Sequence, residues 1–571
     1  MPASTIRREQ RNVQRSSTAE AAKFVDQLKS NSIGTGGTFD SAAASDYLSD
    51  SSASIPENMQ ILFDEAGSGN SAIITKAILD GLSIYESEHG VAAPADVIEN
   101  ALHMAYGTSC EARKKMALDS ANNAHSDVLS LQPNRAVVAI LSALSEAIPF
   151  AHYLPADISS NEARLAILTH QAGGQYGMYA QNGIMDGVAS GDPYITSSRV
   201  SKVTSTNVGG SAGAIPASLI TSVQATRDTC AAISGNVVAV KLLRGRSQVY
   251  INGQVVAKEV TNNQTGSGVS TISGSVILAG TTYQIGGTVN PDTGDIALTV
   301  PANFPAGVDV VVEGFIDYER SPSLTPSIIT NVDTFYLYAK PWRVITQNTI
   351  DSQTQMSNEL GLDPYSESII AIQNQFANER HYEVLAKAFR IAIGNGNIGT
   401  FDMNWAGDAG MGLQKTRAQV LQDLQSVIGQ VSQQMAINTL GHGISHLYVG
   451  KFLAAQLQSM PTSIFQSSGL QVRASIYRVG RLFGQYDVYY TPKVLTETSS
   501  ASQMLCVGRA NEVTRNPFVL GDAVPPTVIP LAVNSDLRRG AGFYARNFTE
   551  VNPHGPSSLG CALINVTNMG L

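Results

Sequence analysis

The sequence carries little charge for its size. Of its 571 residues, 15% are Asp, Glu, Lys or Arg, whereas a soluble globular protein has roughly 25%. Ala, Ser, Gly, Asn and Gln take the place of the missing charges, so charge keeps little of the surface hydrated. This composition fits a subunit that buries much of its surface against neighbours better than it fits an isolated enzyme.

Long hydrophobic runs and paired cysteines are lacking as well. No apolar run reaches the roughly 20 residues that span a bilayer, and residues 1–30 contain no apolar segment typical of a signal peptide. Cys110, Cys230, Cys506 and Cys561 lie far apart, which indicates neither a zinc site nor a disulfide framework. We therefore expect an intracellular protein with free thiols and no membrane association.

The net charge of -9 argues against a chain that coats nucleic acid with its whole surface, because non-specific binding needs a basic surface. The polar N-terminal arm is a local exception. Its arginines can contact a polyanion, or they can lie in solvent on a mobile terminus. These arginines are Arg7, Arg8, Arg11 and Arg15.

Hydrophobic periodicity divides the chain into helical and β-rich parts. Residues 1–55 are rich in Ser, Ala, Thr and Gly and predict a flexible arm, and residues 56–145 show helical spacing. Alternating Val and Ile with Asn-Gly and Pro-Asp turn signals predict a compact β-domain over residues 236–318. The C-terminal 70 residues also favour strands.

Two long helices are predicted beyond the β-domain. The first begins at Pro364, which suits the opening position of a helix, with Asp363 as its cap, and runs to residue 393 before Gly394. At 1.5 Å per residue it forms a rod of roughly 45 Å. A rod of that length is typical of a structural support. The second helix covers residues 417–438.

Three short motifs resemble catalytic or binding signatures, but their surroundings do not fit. Residues 394–399 match GxGxxG, yet they follow a helix where a strand is required. Ser211 lies in a GxSxG match with polar flanks. His442 and His446 have the spacing of a metal pair, but glycines break the helix that would present them. We predict no catalytic, cofactor or metal site and no enzyme.

Residues 312–385 resemble the central region of major capsid proteins of tailed bacteriophages, in particular the T-even-like myophage group with the HK97-like fold. A β-rich insertion ends at Gly314–Glu319, and the strand Thr334–Lys340 follows. Arg343 then leads into the polar segment 351–358, and Gly361-Leu362-Asp363 opens the long helix that carries Glu379. Shorter matches before and after extend the resemblance over most of residues 145–555.

The resemblance implies an α+β chain with the HK97-like capsid fold. Such a fold has a peripheral domain with a long spine helix, an axial domain and an extended hairpin called the E-loop, here with an inserted β-domain and an N-terminal helical arm. The expected parts are a basic arm (1–55), a helical region (56–145), the start of the core and E-loop (146–235), the inserted β-domain (236–318), the E-loop return strand (319–345), the peripheral domain (346–414, spine helix 364–393), the axial domain (415–500) and a C-terminal β-rich return (501–571).

The resemblance also implies a function and its partners. Copies of the chain would assemble into hexamers and pentamers of a virion shell around double-stranded DNA, built in the host cytoplasm, with portal, scaffold and decoration proteins as further partners. The N-terminal arginines would face the DNA or scaffold. Candidates for contact between subunits are Lys340, Arg343, Glu379, Arg380 and Glu383, although a solvated helix face explains the last three equally simply.

Two other functions are compatible with parts of the sequence. A β-rich phage fibre or decoration protein that binds a surface ligand would explain residues 236–318, but it does not explain the long helix. A hydrolase acting through Ser211 would be labelled by a serine-reactive probe.

Overall fold

The computed structural model describes most of the chain and divides it into two compact units. Unit 1 comprises residues up to Ile167 together with Val332–Leu571, and unit 2 comprises Leu168–Asn331. The described residues are 19–31, 40–49, 55–109, 128–174, 179–192, 194–204, 213–218, 241–261, 268–320, 322, 325–361, 364–404, 415–531 and 537–569.

Unit 1 begins with helices that share one apolar core. Helix α4 presents Ile74, Ile78, Leu82 and Tyr85 to this core at spacings of three and four residues, and it ends at Gly90, whose φ of 67° favours glycine. The helices are α1 (19–31), α2 (Ser41–Ser49), α3 (Glu57–Ala66), α4 (Ser68–His89), α5 (Ala95–Tyr106) and α6 (Val128–Ser145).

A four-stranded sheet and a long helix form the next part of unit 1. The strands are β1 (His152–Tyr153), β12 (Lys340–Thr349), β19 (Phe518–Leu531) and β20 (Arg538–Val551), in the order β1-β19-β20-β12. Helix α7 (Ile350–Leu360) follows β12, and α8 (Pro364–Gly394) packs against β12 and β20. The predicted spine helix is confirmed; the predicted cap Asp363 lies outside the described residues.

A seven-stranded sheet completes unit 1. Its order is β13-β21-β18-β14-β17-β16-β15, and helix α9 packs on it through Leu421, Leu424 and Ile428. A reciprocal capping box between Thr416 and Gln419 starts α9. The elements are β13 (Ile398–Asp402), α9 (Arg417–Thr439), β14 (Ile444–Val449), α10 (Lys451–Gln458), β15 (Phe465–Ser467), β16 (Tyr477–Leu482), β17 (Tyr486–Tyr490), β18 (Ser502–Gly508), α11 (Gly555–Ser558) and β21 (Cys561–Thr567).

Unit 2 is built on an eight-stranded sheet with its own apolar core. The strand order is β3-β10-β5-β6-β7-β8-β9-β4, and alternating residues such as Ile296, Leu298 and Val300 face the core. The unit is larger than the predicted 236–318 because β3 and β4 precede that range. The strands are β3 (Ser198–Thr204), β4 (Gly213–Ser218), β5 (Gln248–Ile251), β6 (Gln254–Val260), β7 (Ser270–Leu278), β8 (Thr281–Asn290), β9 (Asp295–Val300) and β10 (Asp309–Phe315).

An extended strand pair carries the chain into unit 2 and out of it again. Strand β2 (Glu162–Ala172) pairs with β11 (Ile328–Tyr338). Each is 11 residues long, and all of unit 2 from β3 to β10 lies between them in the sequence. The α+β fold class is thus confirmed, with a β-domain inserted in an extended hairpin ahead of a long helix. Among the described helices, none has the length and apolarity required to cross a bilayer.

Candidate subunit-contact surface

Helix α8 is anchored through its C-terminal half and exposed along much of its N-terminal half. Phe376, Val384, Leu385 and Ala388 are buried at helical spacing. Toward the N-terminus, Ile370 is 52% exposed, and Glu367 and Glu379 are exposed too. One half therefore fixes the helix in unit 1, and the other half presents a surface.

Arg380 lies on the anchored side and is paired inside the chain. Its Nη1 is 3.1 Å from Oδ1 of Asp522 on β19, and Asn100 on α5 donates to Oδ2 of the same carboxylate at 3.1 Å. Burial lowers the pKa of the Arg380 guanidinium, but Asp522, Tyr153 and Glu146 raise it, and the net direction is upward. This differs from both expected positions, at a subunit boundary or on a solvated helix face, because β19 and α5 cover the helix face that carries Arg380.

Glu146 lies beside this pair. It accepts a hydrogen bond from Ser142 Oγ at 2.9 Å. Burial raises the pKa of its carboxyl to about 7, against the lowering effect of Ser142 and Arg380. The Arg380 pair thus belongs to a polar group enclosed by α5, α6, α8 and β19.

Lys340 and Glu383 lie at the junction of the sheet with α8 and are linked within the chain. Lys387 Nζ is 2.7 Å from Glu383 Oε1 and 4.0 Å from Glu550 Oε2, and Lys340 Nζ also contacts Glu550. The Glu550 carboxylate raises the pKa of Lys340. Of the two, Lys340 is the more accessible to a neighbouring chain, with 68% of its side chain exposed.

Helix α8 covers one face of the sheet β19-β20-β12. The other face is covered near Phe548 by residues of β2 and β11 and is open toward Ile345. On the face that α8 covers, Trp342 and Phe543 pack with Phe376 of α8. Because side chains alternate along a strand, the next residues lie on the other face. There the Arg343 guanidinium lies 5.8 Å from the Tyr544 ring centroid.

The strand register aligns residues of the three strands in rows across this open face. Ile345 is opposite Gly542, which is opposite Ile529; the two isoleucines are 67% and 38% exposed. Strand β12 is at the edge of the described sheet, so its outer N–H and C=O groups face away from β20. An exposed apolar row on an edge strand is typical of a surface that another chain covers.

The histidine pair of the sequence motif is divided between two elements. His442 follows α9, whereas His446 is on β14 and packs against Phe150. Burial lowers the pKa of His442 to about 4 and that of His446 to about 3. Both are parts of the interior of unit 1.

His446 belongs to a buried cluster of histidines and tyrosines that the sequence did not predict. The rings of Tyr448 and Tyr489 stack with centroids 5.3 Å apart. His89 Nδ1 is 2.9 Å from Tyr489 Oη, and His381 Nε2 is 3.2 Å from Tyr448 Oη. The cluster joins α4, α8, β14 and β17, which lie far apart in the sequence.

Several other predicted residues cannot be placed. Arg7, Arg8, Arg11, Arg15 and Ser211 lie outside the described residues. Asp522 and the open sheet face were missed by the sequence analysis. One sequence feature could have predicted this face: residues 538–546 contain three arginines and no Asp or Glu.

Comparisons with known proteins give matches at the level of structure. The sequence matches no known protein family and no curated protein. The chain is similar to the jumbo bacteriophage PhiKZ capsid (8% identity, 74% of this chain and 92% of that one, TM-score 0.37) and to the capsid of Myoviridae phage XM1 (8%, 59% and 95%, TM-score 0.28). A structure from Microbacterium phage Oxtober96 is also similar (14%, 42% and 77%, TM-score 0.28). The solved structures similar to this chain thus include two phage capsids.

Proposed function

We propose that this chain is a major capsid protein of a tailed bacteriophage, of the T-even-like myophage group. Copies assemble into hexamers and pentamers, and these close the icosahedral head shell around double-stranded DNA. The observation that carries the proposal is the order of parts in the chain. An extended strand pair holds an inserted β-domain, an edge strand follows, and then a 31-residue helix that is buried along one half and exposed along the other.

This architecture suits a shell subunit for physical reasons. The same chain must meet neighbours in five-fold and six-fold rings, so it needs rigid supports together with extended elements that adapt. Helix α8 supplies rigidity, and the pair β2–β11 supplies reach. The low charged fraction of 15% supports extensive burial between copies.

The proposal assigns a structural role without catalysis, a place in the virion and partners beyond the chain itself. Portal, scaffold and decoration proteins are further partners, and Arg7, Arg8, Arg11 and Arg15 contact DNA or scaffold non-specifically. Lys340, Arg343, Glu379 and Glu383 are the candidates for contact between subunits. A β-rich fibre or decoration protein is not favoured, because unit 1 is an α+β body organised around α8.

Electron microscopy with light scattering on the purified full chain tests the proposal, with and without the neighbouring phage structural proteins. We expect capsomers, tubes or closed shells. A discrete monomer or trimer under every condition would contradict the proposal and would favour a ligand-binding role for unit 2.

A further inference from the structure

The open face of the β19-β20-β12 sheet has a distinctive composition. We call it the arginine face and define it by Arg343, Ile345, Ile529, Tyr544 and Arg546, which the strand register places on the side of the sheet away from α8. None of the strand segments that build it, 341–349, 524–531 and 538–546, contains Asp or Glu. Arg, Tyr and exposed Ile without Lys or Glu are typical of the centre of a protein interface.

Exposed carboxylates lie on α7 and the first turn of α8. We call them the acidic strip and define it by Asp351, Glu359 and Glu367, which are all exposed. The chain has no Lys or Arg between Arg343 and Arg380, so no basic residue of this segment neutralises the strip. Ile370, 52% exposed, adds an apolar contact to it.

The arginine face and the α8 part of the strip cannot meet within one chain. Helix α8 packs through Phe376 against Trp342 and Phe543 on the covered face of the sheet. The arginine face is on the other side of the same sheet. A contact between the arginine face and the α8 part of the strip therefore needs two copies.

We propose that the arginine face of one copy binds the acidic strip of a second copy, head to tail. Such a contact joins two different surfaces, and it generates a ring when the rotation between copies closes. Opposite charge then selects the orientation of approach, while Ile345, Ile529 and Ile370 supply apolar area. This inference rests on the proposed self-assembly and identifies surfaces that drive it.

Reciprocal charge reversal in the full chain tests the contact. One variant carries Arg343→Glu and Arg546→Glu, a second carries Glu359→Lys and Glu367→Lys, and a third carries all four changes. Light scattering should show that each double variant needs about tenfold or more protein for half-maximal assembly, because like charges then face each other. The fourfold variant should recover most of the loss, and so should a mixture of the two double variants.

Controls separate this inference from misfolding. Lys241→Glu with Lys258→Glu reverses two exposed charges in unit 2 and should leave the assembly concentration unchanged. Circular dichroism and thermal unfolding check each variant. If the charge-reversed arginine variant does not fold, a variant with Arg343→Gln and Arg546→Gln is used in its place. We expect it to raise the protein concentration needed for half-maximal assembly by a smaller factor.

The outcomes distinguish the inference from the proposed function. Wild-type chain that never assembles would contradict the function itself. Wild-type chain that assembles while the double variants assemble equally well, or while the fourfold variant stays as defective as they are, would overturn the head-to-tail contact alone. Normal assembly of the arginine variant together with a weakened, salt-dependent binding of double-stranded DNA would also overturn it, by assigning the arginine face to a polyanion.

Discussion

Arg380 is held inside unit 1 by a carboxylate 142 residues further along the chain. Arg380→Met leaves Asp522 buried without its counter-charge, so we expect the free energy of unfolding to fall by about 3–5 kcal/mol. Denaturant titration measures this loss. The matched control is Lys29→Met, which breaks an exposed ion pair with Glu86 at 2.8 Å and should cost at most about 1 kcal/mol. Equal losses for the two variants would contradict the structural role of the buried pair.

Protonation of His89, His381 and His446 gives unit 1 a pH dependence whose sign follows from their lowered pKa values. Burial lowers the pKa to about 4 for His89 and to about 3 for His381 and His446, from an ordinary value of 6.5. The unfolded chain therefore binds more protons, and the stabilisation present above pH 6.5 is lost as pH falls from 6.5 through about 4 to about 3. Arg478, Arg509 and Asp487 also face this group: both arginines lower the pKa of His446 and Asp487 raises it.

His381→Gln keeps a hydrogen-bonding group beside Tyr448 but removes one proton site. Unfolding midpoints measured from pH 7.5 to 4.5 should then decline less steeply than in the wild type. A slope as steep as that of the wild type would contradict the role of His381.

The contribution of Glu146 to the pH dependence of stability has the opposite sign to that of the histidines. Its pKa is raised from 4.5 to about 7, so its contribution to stability is complete below pH 4.5 and is lost as pH rises through 7. Glu146→Gln removes the cost of ionisation and keeps an acceptor for Ser142. The variant should gain stability relative to the wild type above pH 7 and little at pH 5, as read from thermal unfolding at the two pH values. A gain of the same size at both pH values would contradict the titration of Glu146.

Among the secondary-structure elements, β19 packs closely against Leu154, the residue after β1, and this packing requires a glycine at position 521. A Cβ at Gly521 would meet the Leu154 carbonyl and the Phe548 ring, and a backbone carbonyl yields little space. Gly521→Ala should therefore destabilise by about 1–3 kcal/mol. Gly429→Ala in α9 meets open space and should stabilise by about 0.5–1 kcal/mol. Denaturant midpoints of the two variants should move in opposite directions, and movement in the same direction would contradict this packing.

At the scale of the whole molecule, the two units have separate apolar cores. Leu298 belongs to the core of unit 2 and Leu447 to a core of unit 1. Each Leu→Ala change removes about 2–5 kcal/mol from the unit that carries it. Scanning calorimetry should show two transitions, of which Leu298→Ala lowers one and Leu447→Ala lowers the other. A common shift of both transitions by either variant would contradict independent cores.

Local sequence signals are enough to predict several of the elements. Pro364 and Gly394 delimit α8, the Val and Ile alternation with turn residues identifies most of unit 2, and the order of these parts carries the resemblance to capsid proteins. Helix start signals and strand periodicity depend on neighbours within a few residues, so they can be recognised in the sequence without knowledge of the tertiary structure.

Contacts between distant side chains follow from the packing of the folded chain. The sequence predicts Arg380 at a boundary between copies or on a solvated helix face, because an Arg on a long helix has the pattern of an exposed residue. Its partner Asp522 is on a distant strand. The histidine–tyrosine cluster and the arginine face likewise combine residues from α4, α8 and separate strands. Burial and charge pairing depend on which segments pack together, and this information is distributed over the whole chain, beyond the reach of any local pattern.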